Sequence, residues 1–325
     1  MRYIRKNIIK AVLATVTAIP FAYTTITTTN TADVSWIPKI VRKEIIKCVF
    51  TRNIKTSSHG EKHKYIENPI LERDIHNCIQ EQSGGVKIIW APHGTGKTTT
   101  VRHVLNSECN GGKISGVLTL TPPIESVEIV EWFKNELSFI GFETLTKYDQ
   151  LSSLLDTTHE KPYVIVIDQF DNLDFDEKLR RFIKVTAEDS SLHKNYVVIV
   201  ICTDAAKVST MQKWNGGVKI RPINDEFIAY KWNVTQIEKW IEHNLKEHPT
   251  INVKKNKVHF DKFTESAVVA GTPDFIITNS FSLDNQSILE IENSWINSSN
   301  YINKTWIIGQ QLLSSRYSQS KWWWR

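Results

Sequence analysis

One short glycine-containing segment constrains the fold of this chain more than any other part of its sequence. Residues 91–98 read Ala-Pro-His-Gly-Thr-Gly-Lys-Thr, directly after a strand-like run at 86–90 and at the start of a helix-like stretch at 98–105. Glycines between a strand and a helix let the main chain turn tightly and approach another group closely. The segment therefore predicts a strand–loop–helix unit, which is the repeating unit of parallel sheets covered by helices.

The same alternation continues through the middle of the chain. Short β-rich apolar runs alternate with helical patterns over residues 66–232, which predicts an α/β core domain with a five-stranded parallel sheet flanked by helices. The predicted strands span 86–90, 117–121, 163–167, 197–202 and 218–220, and the predicted helices span 98–105, 126–137, 177–186 and 205–213.

Strand signals fade after Trp232, and helical patterns replace them. Residues 235–245 have the apolar spacing of an amphipathic helix, and Thr235 is a candidate cap. We expect a smaller, mainly helical domain over 233–316, followed by a short tail over 317–325.

The chemistry of residues 91–98 suits a bound nucleoside triphosphate. Gly94 and Gly96 let backbone N–H groups approach phosphate oxygens, and the positive end of the following helix points at them. Lys97 is expected to face solvent in the empty loop and to bind the β- and γ-phosphates, and Thr98 to offer its hydroxyl to Mg²⁺. The predicted nucleotide-binding residues of this segment are Ala91, Pro92, His93, Gly94, Thr95, Gly96, Lys97, Thr98 and Thr99.

A carboxylate for Mg²⁺ is expected at the end of another core strand. Residues 164–167 read Val-Ile-Val-Ile, and Asp168 follows them directly. The alternative is an ordinary strand that ends in a turn aspartate. Because Mg²⁺ prefers oxygen ligands, co-occurrence with the glycine segment predicts Thr98 and Asp168 as metal ligands, and ATP and Mg²⁺ as the bound cofactors.

Three residues are candidates for catalytic roles at this site. Gln169 follows Asp168 and can orient a water molecule, but its amide cannot take a proton as a general base. Asp171, two residues further on, is the alternative base. Thr203, with Asp204 at the end of the next predicted strand, suits either γ-phosphate sensing or capping of the following helix.

With these pieces in place, residues 66–278 resemble the AAA+ and STAND ATPases, in particular their replication-initiator-like and archaeal-type branches. The segment 91–98, Asp168 and the pair Thr203-Asp204 match the family motifs in order and spacing. The resemblance implies the strand order 5-1-4-3-2, a helical lid over the nucleotide and a capacity for oligomerisation.

Two looser matches and one departure accompany this resemblance. Arg73-Asp74 matches a pair upstream of the loop that packs near the adenine, which makes Arg73 a further nucleotide-binding candidate. Residues 270–273 resemble the Gly-x-Pro turn of a STAND lid, or are a plain loop turn. Gln169 stands where such ATPases usually carry an acid, which places rapid catalysis in question and leaves nucleotide binding intact.

The expected function is slow, Mg²⁺-dependent ATP hydrolysis that drives a conformational change acting on an unidentified protein or nucleic-acid client. One alternative is an ATP-gated binding or scaffold module that does not hydrolyse ATP. A second is a C-terminal nuclease domain, because 272–274, 289–292 and 310–311 faintly match the PD-(D/E)xK pattern, with Glu292 in place of its lysine.

The N-terminal segment carries most of the positive charge. Residues 1–64 contain twelve Lys/Arg and three Asp/Glu, a net charge of +9, whereas the other 261 residues carry −4. A uniformly basic nucleic-acid-binding surface is therefore excluded, although a local patch remains open. Residues 33–65 form a predicted basic helix, at 36–50, and a polar linker.

Residues 1–32 have the features of a targeting or membrane-anchor segment. A mitochondrial presequence, a signal anchor, a cleaved secretory signal and a buried N-terminal helix all remain open. The uncharged stretch 11–31 is long enough to span a bilayer, but eight threonines and Pro20 weaken that interpretation. A need for ATP favours a cytosol-facing or matrix-facing domain, so we expect membrane association or an organelle, the mitochondrion foremost.

Composition supports a globular chain. Of 325 residues, 41% are hydrophobic and 23% are charged, which is unlike a disordered protein. The four cysteines, at positions 48, 78, 109 and 202, form no Cys-x-x-Cys pair. Unpaired thiols are therefore expected, rather than a disulfide framework or a zinc site.

Overall fold

A single parallel sheet forms the centre of the molecule. The computed structural model describes residues 50, 65–80, 84–123, 129, 132–133, 152, 155, 161–214, 220–224, 227–244, 257–273, 275–276 and 288–320. The strands are β1 Val86–Trp90, β2 Gly116–Leu120, β3 Tyr163–Ile167, β4 Tyr196–Cys202 and β5 Ile220–Pro222. Their order is β2-β3-β4-β1-β5, which is 5-1-4-3-2 from the other edge and confirms the predicted topology.

The central strands are buried on both faces, because their side chains are almost continuously apolar. Every residue of β1, β3 and β4 is buried. β1 pairs with β4 in parallel, with Trp90 opposite Cys202, and β4 pairs with β3 on its other side. Since parallel strands all end at the same edge of a sheet, the residues that follow β1, β3 and β4 meet there.

Helices cover this sheet and build the C-terminal region. They are α1 Pro69–Gln80, α2 Lys97–Asn110, α3 Glu177–His193, α4 Ala205–Trp214, α5 Val234–Asn244, α6 Lys257–Ala270 and α7 Ile288–Ser320, with short 3₁₀ turns at Phe170–Asn172 and Phe227–Tyr230. Of the predicted strand at 218–220, only Ile220 is among the described residues, and it lies in β5. The predicted helices 98–105 and 177–186 run on to Asn110 and His193. The predicted helix 126–137 lies almost wholly outside the described residues.

The C-terminal helices have an apolar core of their own, distinct from the one around the sheet. Its buried members are Ile66, Trp232, Ile237, Trp240, Ile241, Phe263, Ala267, Ala270, Phe275, Ile276 and Trp295. This confirms the predicted helical region after the sheet. The helix α5 begins differently from the prediction: Asn233, not Thr235, provides the cap, because its Oδ1 accepts from the Gln236 N–H and Gln236 Oε1 accepts from the Asn233 N–H.

The long helix α7 also packs on the sheet, directly beside the glycine segment. Gly309 lies so close to Trp90 that a Cβ atom at this position would come within 2.1 Å of the indole ring. One turn earlier, Trp306 packs edge-to-face on Trp90 and donates its indole N–H to the carbonyl of Ala270 at 3.2 Å. The C-terminal region is therefore in direct contact with the end of β1.

The nuclease interpretation is wrong for residues 289–292. They lie inside α7, where residues two positions apart do not share a face, whereas the two-residue spacing of the nuclease pattern aligns side chains only in a strand. Residues 310–311 belong to the same helix.

The targeting segment 1–32 and most of the linker 33–65 lie outside the described residues. Phe50 is described, and its ring packs edge-to-face on Tyr163 of β3 at 4.9 Å between centroids. None of the helices within the described part of the chain has both the length and the apolar character needed to cross a membrane. In that same part, Cys78, Cys109 and Cys202 form no disulfide bond.

Candidate functional site: the loop between β1 and α2

The glycine segment forms a tight loop that ends on the first residue of α2. Gly94 and Gly96 both have positive φ angles, 73° and 83°, which side-chain-bearing residues rarely adopt. The hydroxyl of Thr95 donates to the carbonyl of Pro92 at 3.0 Å and closes the loop on itself. The N-terminus of α2, with its partial positive charge, therefore faces the concave side of the loop.

Lys97 does not face solvent in the empty loop, so that expectation is wrong. Its side chain folds back, and Nζ donates to the carbonyls of Ala91 at 2.7 Å and Pro92 at 2.9 Å. Lys97 is 5% exposed. These two loop carbonyls therefore satisfy the buried ammonium group.

Burial changes the protonation of this lysine. Loss of hydration lowers the pKa of Lys97 to about 8, against the opposing effect of Asp171, Cys202 and Asp168, which raise it. Near neutral pH the Lys97 ammonium is charged, and carbonyl dipoles rather than water stabilise that charge.

The two predicted metal ligands lie next to each other. The Thr98 hydroxyl, in the first turn of α2, donates to Asp168 Oδ1 at 2.9 Å. The same oxygen accepts the backbone N–H of Gln169 at 2.9 Å. Asp168 comes directly after β3 and is buried, so the sheet brings together two residues that are 70 positions apart.

Gln169 is exposed and has an unusual backbone conformation. Its φ is 52°, in the left-handed region that non-glycine residues seldom occupy. Its Oε1 accepts a hydrogen bond from Asn172 Nδ2 at 3.3 Å. The left-handed turn sends the chain away from β3 and leaves the Gln169 amide at the surface beside Asp168.

Asp171 is tied to the end of β4. Its Oδ2 accepts from the N–H and the hydroxyl of Thr203, both at 2.6 Å. Its Oδ1 accepts from the Cys202 thiol at 2.7 Å and the Asp204 N–H at 3.0 Å. Burial alone would raise the pKa of Asp171, but these hydrogen bonds outweigh burial and hold the pKa below its usual range.

This geometry favours Asp171 as a structural link over Asp171 as a general base. A base needs a lone pair directed at water and a pKa near the working pH, and both oxygens of this carboxylate are already occupied. Thr203 shares the constraint, since its hydroxyl hydrogen is given to Asp171. Asp204, and not Thr203, caps the helix α4: its Oδ1 accepts from the Ala206 N–H at 2.7 Å.

Arg73 lies on the surface of α1, away from these contacts. Its guanidinium pairs with Asp74 at 3.3 Å, and its side chain is 63% exposed. Asp74 is the buried member of the pair and accepts from Asn224 at 2.6 Å and from the Tyr230 hydroxyl at 3.2 Å. The pair thus joins α1 to the segment after β5, and a contact of Arg73 with adenine stays a prediction.

Sequence reasoning missed two residues at the site. Arg102, one turn after Thr98 on α2, lies 3.9 Å from Asp168 Oδ2. Trp232, which precedes α5, donates its indole N–H to the carbonyl of Thr95 at 3.2 Å. The four-residue spacing from Thr98 could have suggested Arg102, whereas nothing in the sequence marks Trp232.

Comparison with known proteins identifies a family whose model matches part of this chain. The family model described as an AAA domain matches residues 80–208, which contain the loop, Asp168, Asp171 and Thr203. No curated protein matches the sequence.

Among solved structures, the similar proteins include three with low sequence identity to this chain. Cdc6p from Pyrobaculum aerophilum is 12% identical with a TM-score of 0.44, and the match covers 67% of this chain and 64% of Cdc6p. A Walker-type ATPase of Pyrococcus abyssi is 9% identical with a TM-score of 0.46, with 80% of each chain covered. In the Drosophila ORC bound to DNA, one chain is 13% identical with a TM-score of 0.40, with coverage of 83% of this chain and 68% of that one.

The family match, the loop and the strand order agree with one another. The AAA model covers the stretch that contains α2 and β1 to β4, and the parallel order with β1 between β4 and β5 puts the loop at the edge where Asp168 lies. Residues 80–208 therefore resemble an AAA domain in sequence, and the sheet around them has the strand order of the AAA-like P-loop fold.

Proposed function

We propose that the domain binds ATP together with Mg²⁺ and hydrolyses it slowly, and that the nucleotide state changes the packing of the C-terminal helices. The observation that carries this proposal is the 2.9 Å contact between Thr98 and Asp168. It places a hydroxyl and a carboxylate together at the mouth of a loop of the phosphate-binding type.

The oxygens of Thr98 and Asp168 fit Mg²⁺. This cation prefers oxygen ligands and usually takes one or two from protein, with water and substrate phosphates completing its shell. No cluster of three or more His, Cys, Asp or Glu that could cage a metal occurs among the described residues, which is compatible with a site of this kind. When bound, Mg²⁺ would neutralise charge on the phosphates.

The residues of the loop would do the remaining work of binding. The backbone N–H groups around Gly94 and Gly96 receive phosphate oxygens, and Lys97 exchanges the carbonyls of Ala91 and Pro92 for the phosphates. That exchange is favourable because an anionic acceptor binds an ammonium group more strongly than a neutral carbonyl does.

Slow turnover follows from the residues beside Asp168. Gln169 offers an amide to orient water, and Asp171 is held by four hydrogen bonds from the end of β4. General-base catalysis typically contributes about 10²–10⁴-fold, so hydrolysis without a free carboxylate is expected to be slower by roughly that factor. The same observation favours the second candidate, an ATP-gated module without turnover.

The experiment that tests the proposal is a binding and turnover measurement on the full chain. Calorimetric titration with ATP at saturating Mg²⁺ is expected to give saturable binding that Lys97→Ala strongly weakens, and Asp168→Asn is expected to remove the enhancement by Mg²⁺. Equal ATP affinity in wild type and Lys97→Ala would refute the phosphate site. Phosphate release, measured with and without DNA, then separates slow hydrolysis from none and tests for a nucleic-acid client. Oligomerisation is proposed as part of the same behaviour and is checked by light scattering with ATP present.

A further inference from the structure

The two oxygens of Asp168 have different partners. Oδ1 accepts from the Thr98 hydroxyl and the Gln169 N–H, both at 2.9 Å. Oδ2 faces the guanidinium of Arg102, with NH2 at 3.9 Å. The carboxylate is buried, so the charge on Oδ2 has little access to water and depends on nearby cations for compensation.

Arg102 reaches Asp168 because of its place on α2. It follows Thr98 by four residues, and residues at this spacing lie on the same face of a helix. The side chain is 44% exposed, so the guanidinium bridges a buried carboxylate and the solvent. An arginine in this position can move outward without breaking any packing of the core.

We propose that Arg102 compensates Asp168 in the nucleotide-free site and competes with Mg²⁺ for that carboxylate, and so sets how much free Mg²⁺ the site needs. This inference rests on the proposed function. The guanidinium and the divalent cation repel each other, and both are attracted to one buried carboxylate. Binding of Mg²⁺ therefore has to displace Arg102 or weaken its contact, and this cost reduces the apparent Mg²⁺ affinity.

The effect is expected to be modest because Arg102 is partly exposed. Solvent and salt screen a half-exposed charge, which limits the change in Mg²⁺ affinity to about three- to tenfold.

The test is a titration of free Mg²⁺ at constant ATP analogue, with binding of a fluorescent ATP analogue to the full chain as the readout. In Arg102→Gln, the Mg²⁺ concentration for half-maximal binding is expected to fall about three- to tenfold. In Arg102→Lys, which keeps the charge, it is expected to stay within about twofold of wild type. Lys304→Gln removes an exposed positive charge of α7 that makes no contact with Asp168, and it is expected to have no effect.

Two further measurements test whether the effect of Arg102 acts through the charge of Asp168. In an Asp168→Asn background, where the enhancement of binding by Mg²⁺ is expected to be lost, Arg102→Gln is expected to make no difference to the binding curve, because the shared carboxylate is gone. Raising the ionic strength is expected to shrink the difference between wild type and Arg102→Gln.

The outcomes separate this inference from the proposed function. If wild type binds the ATP analogue but Arg102→Gln has the wild-type midpoint, or a higher one, the competition is refuted while ATP binding stands. Absence of nucleotide binding by wild type at saturating Mg²⁺ would overturn the proposed function and this inference with it. Circular dichroism and thermal melting of each variant show that the chain is folded. If Arg102→Gln is unfolded, the same titration is made with Arg102→Met, whose Mg²⁺ midpoint is expected to fall by the same factor.

Discussion

The indole N–H of Trp232 donates to the main-chain carbonyl of Thr95 at 3.2 Å, which joins the residue just before the cap of α5 to the middle of the phosphate loop. Trp232 is 6% exposed, and its own backbone N–H bonds to the carbonyl of Gly271 at 3.0 Å. One residue thus contacts both the loop and the turn after α6, which supports the proposal that the nucleotide state changes the packing of the helical region.

Trp232→Phe is expected to lower the free energy of unfolding by about 1 kcal/mol, since it leaves the Thr95 carbonyl without this donor but keeps an aromatic ring in place. Urea denaturation measures this change. Limited proteolysis with and without ATP is expected to show weaker protection of the C-terminal helices in the variant. The matched control is Trp295→Phe, because the Trp295 indole N–H is buried without a hydrogen-bond partner. Equal losses of stability in the two variants would contradict the role of the Trp232 hydrogen bond.

The buried ammonium of Lys97 predicts a dependence of stability on pH. Burial lowers the pKa of Lys97 from 10.5 to about 8 in the folded chain. Between these values the unfolded chain binds more protons, so this group makes the folded state more stable as the pH rises from about 8 to about 10.5. The difference in unfolding free energy between wild type and Lys97→Met is expected to change by up to about 3 kcal/mol over this window, and below pH 8 to be constant.

Denaturant unfolding of both proteins at about pH 7, 8, 9 and 10 measures this difference in unfolding free energy. The subtraction of the Lys97→Met curve removes the titration of other lysines, tyrosines and cysteines. Parallel pH profiles for wild type and variant would show that Lys97 keeps an ordinary pKa and is not buried as described. ATP affinity is expected to fall over the same window, because the neutral amine no longer attracts the phosphates.

Gln169→Glu is expected to raise the rate of ATP hydrolysis by about 10-fold or more, since it places a carboxylate directly after Asp168. Single-turnover phosphate release measures the rate, and ATP affinity is measured in parallel to show that binding is retained. If wild type already hydrolyses ATP rapidly and Gln169→Glu does not change the rate, Gln169 does not limit turnover.

Asp171→Asn is expected to destabilise the domain by about 2–3 kcal/mol, because the amide presents a donor to groups that are themselves donors at the end of β4. Those groups include the Cys202 thiol and the backbone N–H groups of Thr203 and Asp204. Glu177→Gln, which removes an exposed carboxylate paired with Arg180, is the control and is expected to change stability by less than about 0.5 kcal/mol. A stable but inactive Asp171→Asn would restore Asp171 as the general base.

Removal of residues 1–32 is expected to change the location of the protein in the cell. Their basic, acid-free and threonine-rich sequence contrasts with the net charge of −4 carried by residues 65–325. Fluorescent fusions of the full chain and of the shortened chain are compared by microscopy, with mitochondrial and membrane markers. Identical distributions of the two fusions would refute the targeting prediction.

Features that depend on short stretches of sequence were predictable. The loop at 91–98 and Asp168 follow buried strands, and glycine positions and apolar runs are local signals. The sheet order required the family resemblance, because periodicity alone does not tell which strands are neighbours.

Features that depend on contacts between distant residues were not predictable. The ammonium of Lys97 turns inward because the nearest acceptors are loop carbonyls, and a motif does not specify a side-chain conformation. The contact of Trp232 with Thr95 joins residues 137 positions apart, and the four hydrogen bonds of Asp171 depend on the alignment of β3 with β4. The cap of α5 was misassigned because Asn233 and Thr235 are both good capping residues, and only the backbone decides between them.

Because Gly309 lies against Trp90, the rotation of α7 about its own axis affects the residue that directly precedes the phosphate loop. Each residue of a helix is rotated by about 100° from the one before it, so a single insertion between Trp306 and Gly309 would turn a side chain toward the indole. Trp90 holds the Thr203 carbonyl through its N–H at 3.0 Å, and it immediately precedes Ala91. An insertion or deletion in this part of the C-terminal helix is therefore expected to disturb the end of β1, and a shortened chain that ends before α7 would lack the helix that packs on Trp90.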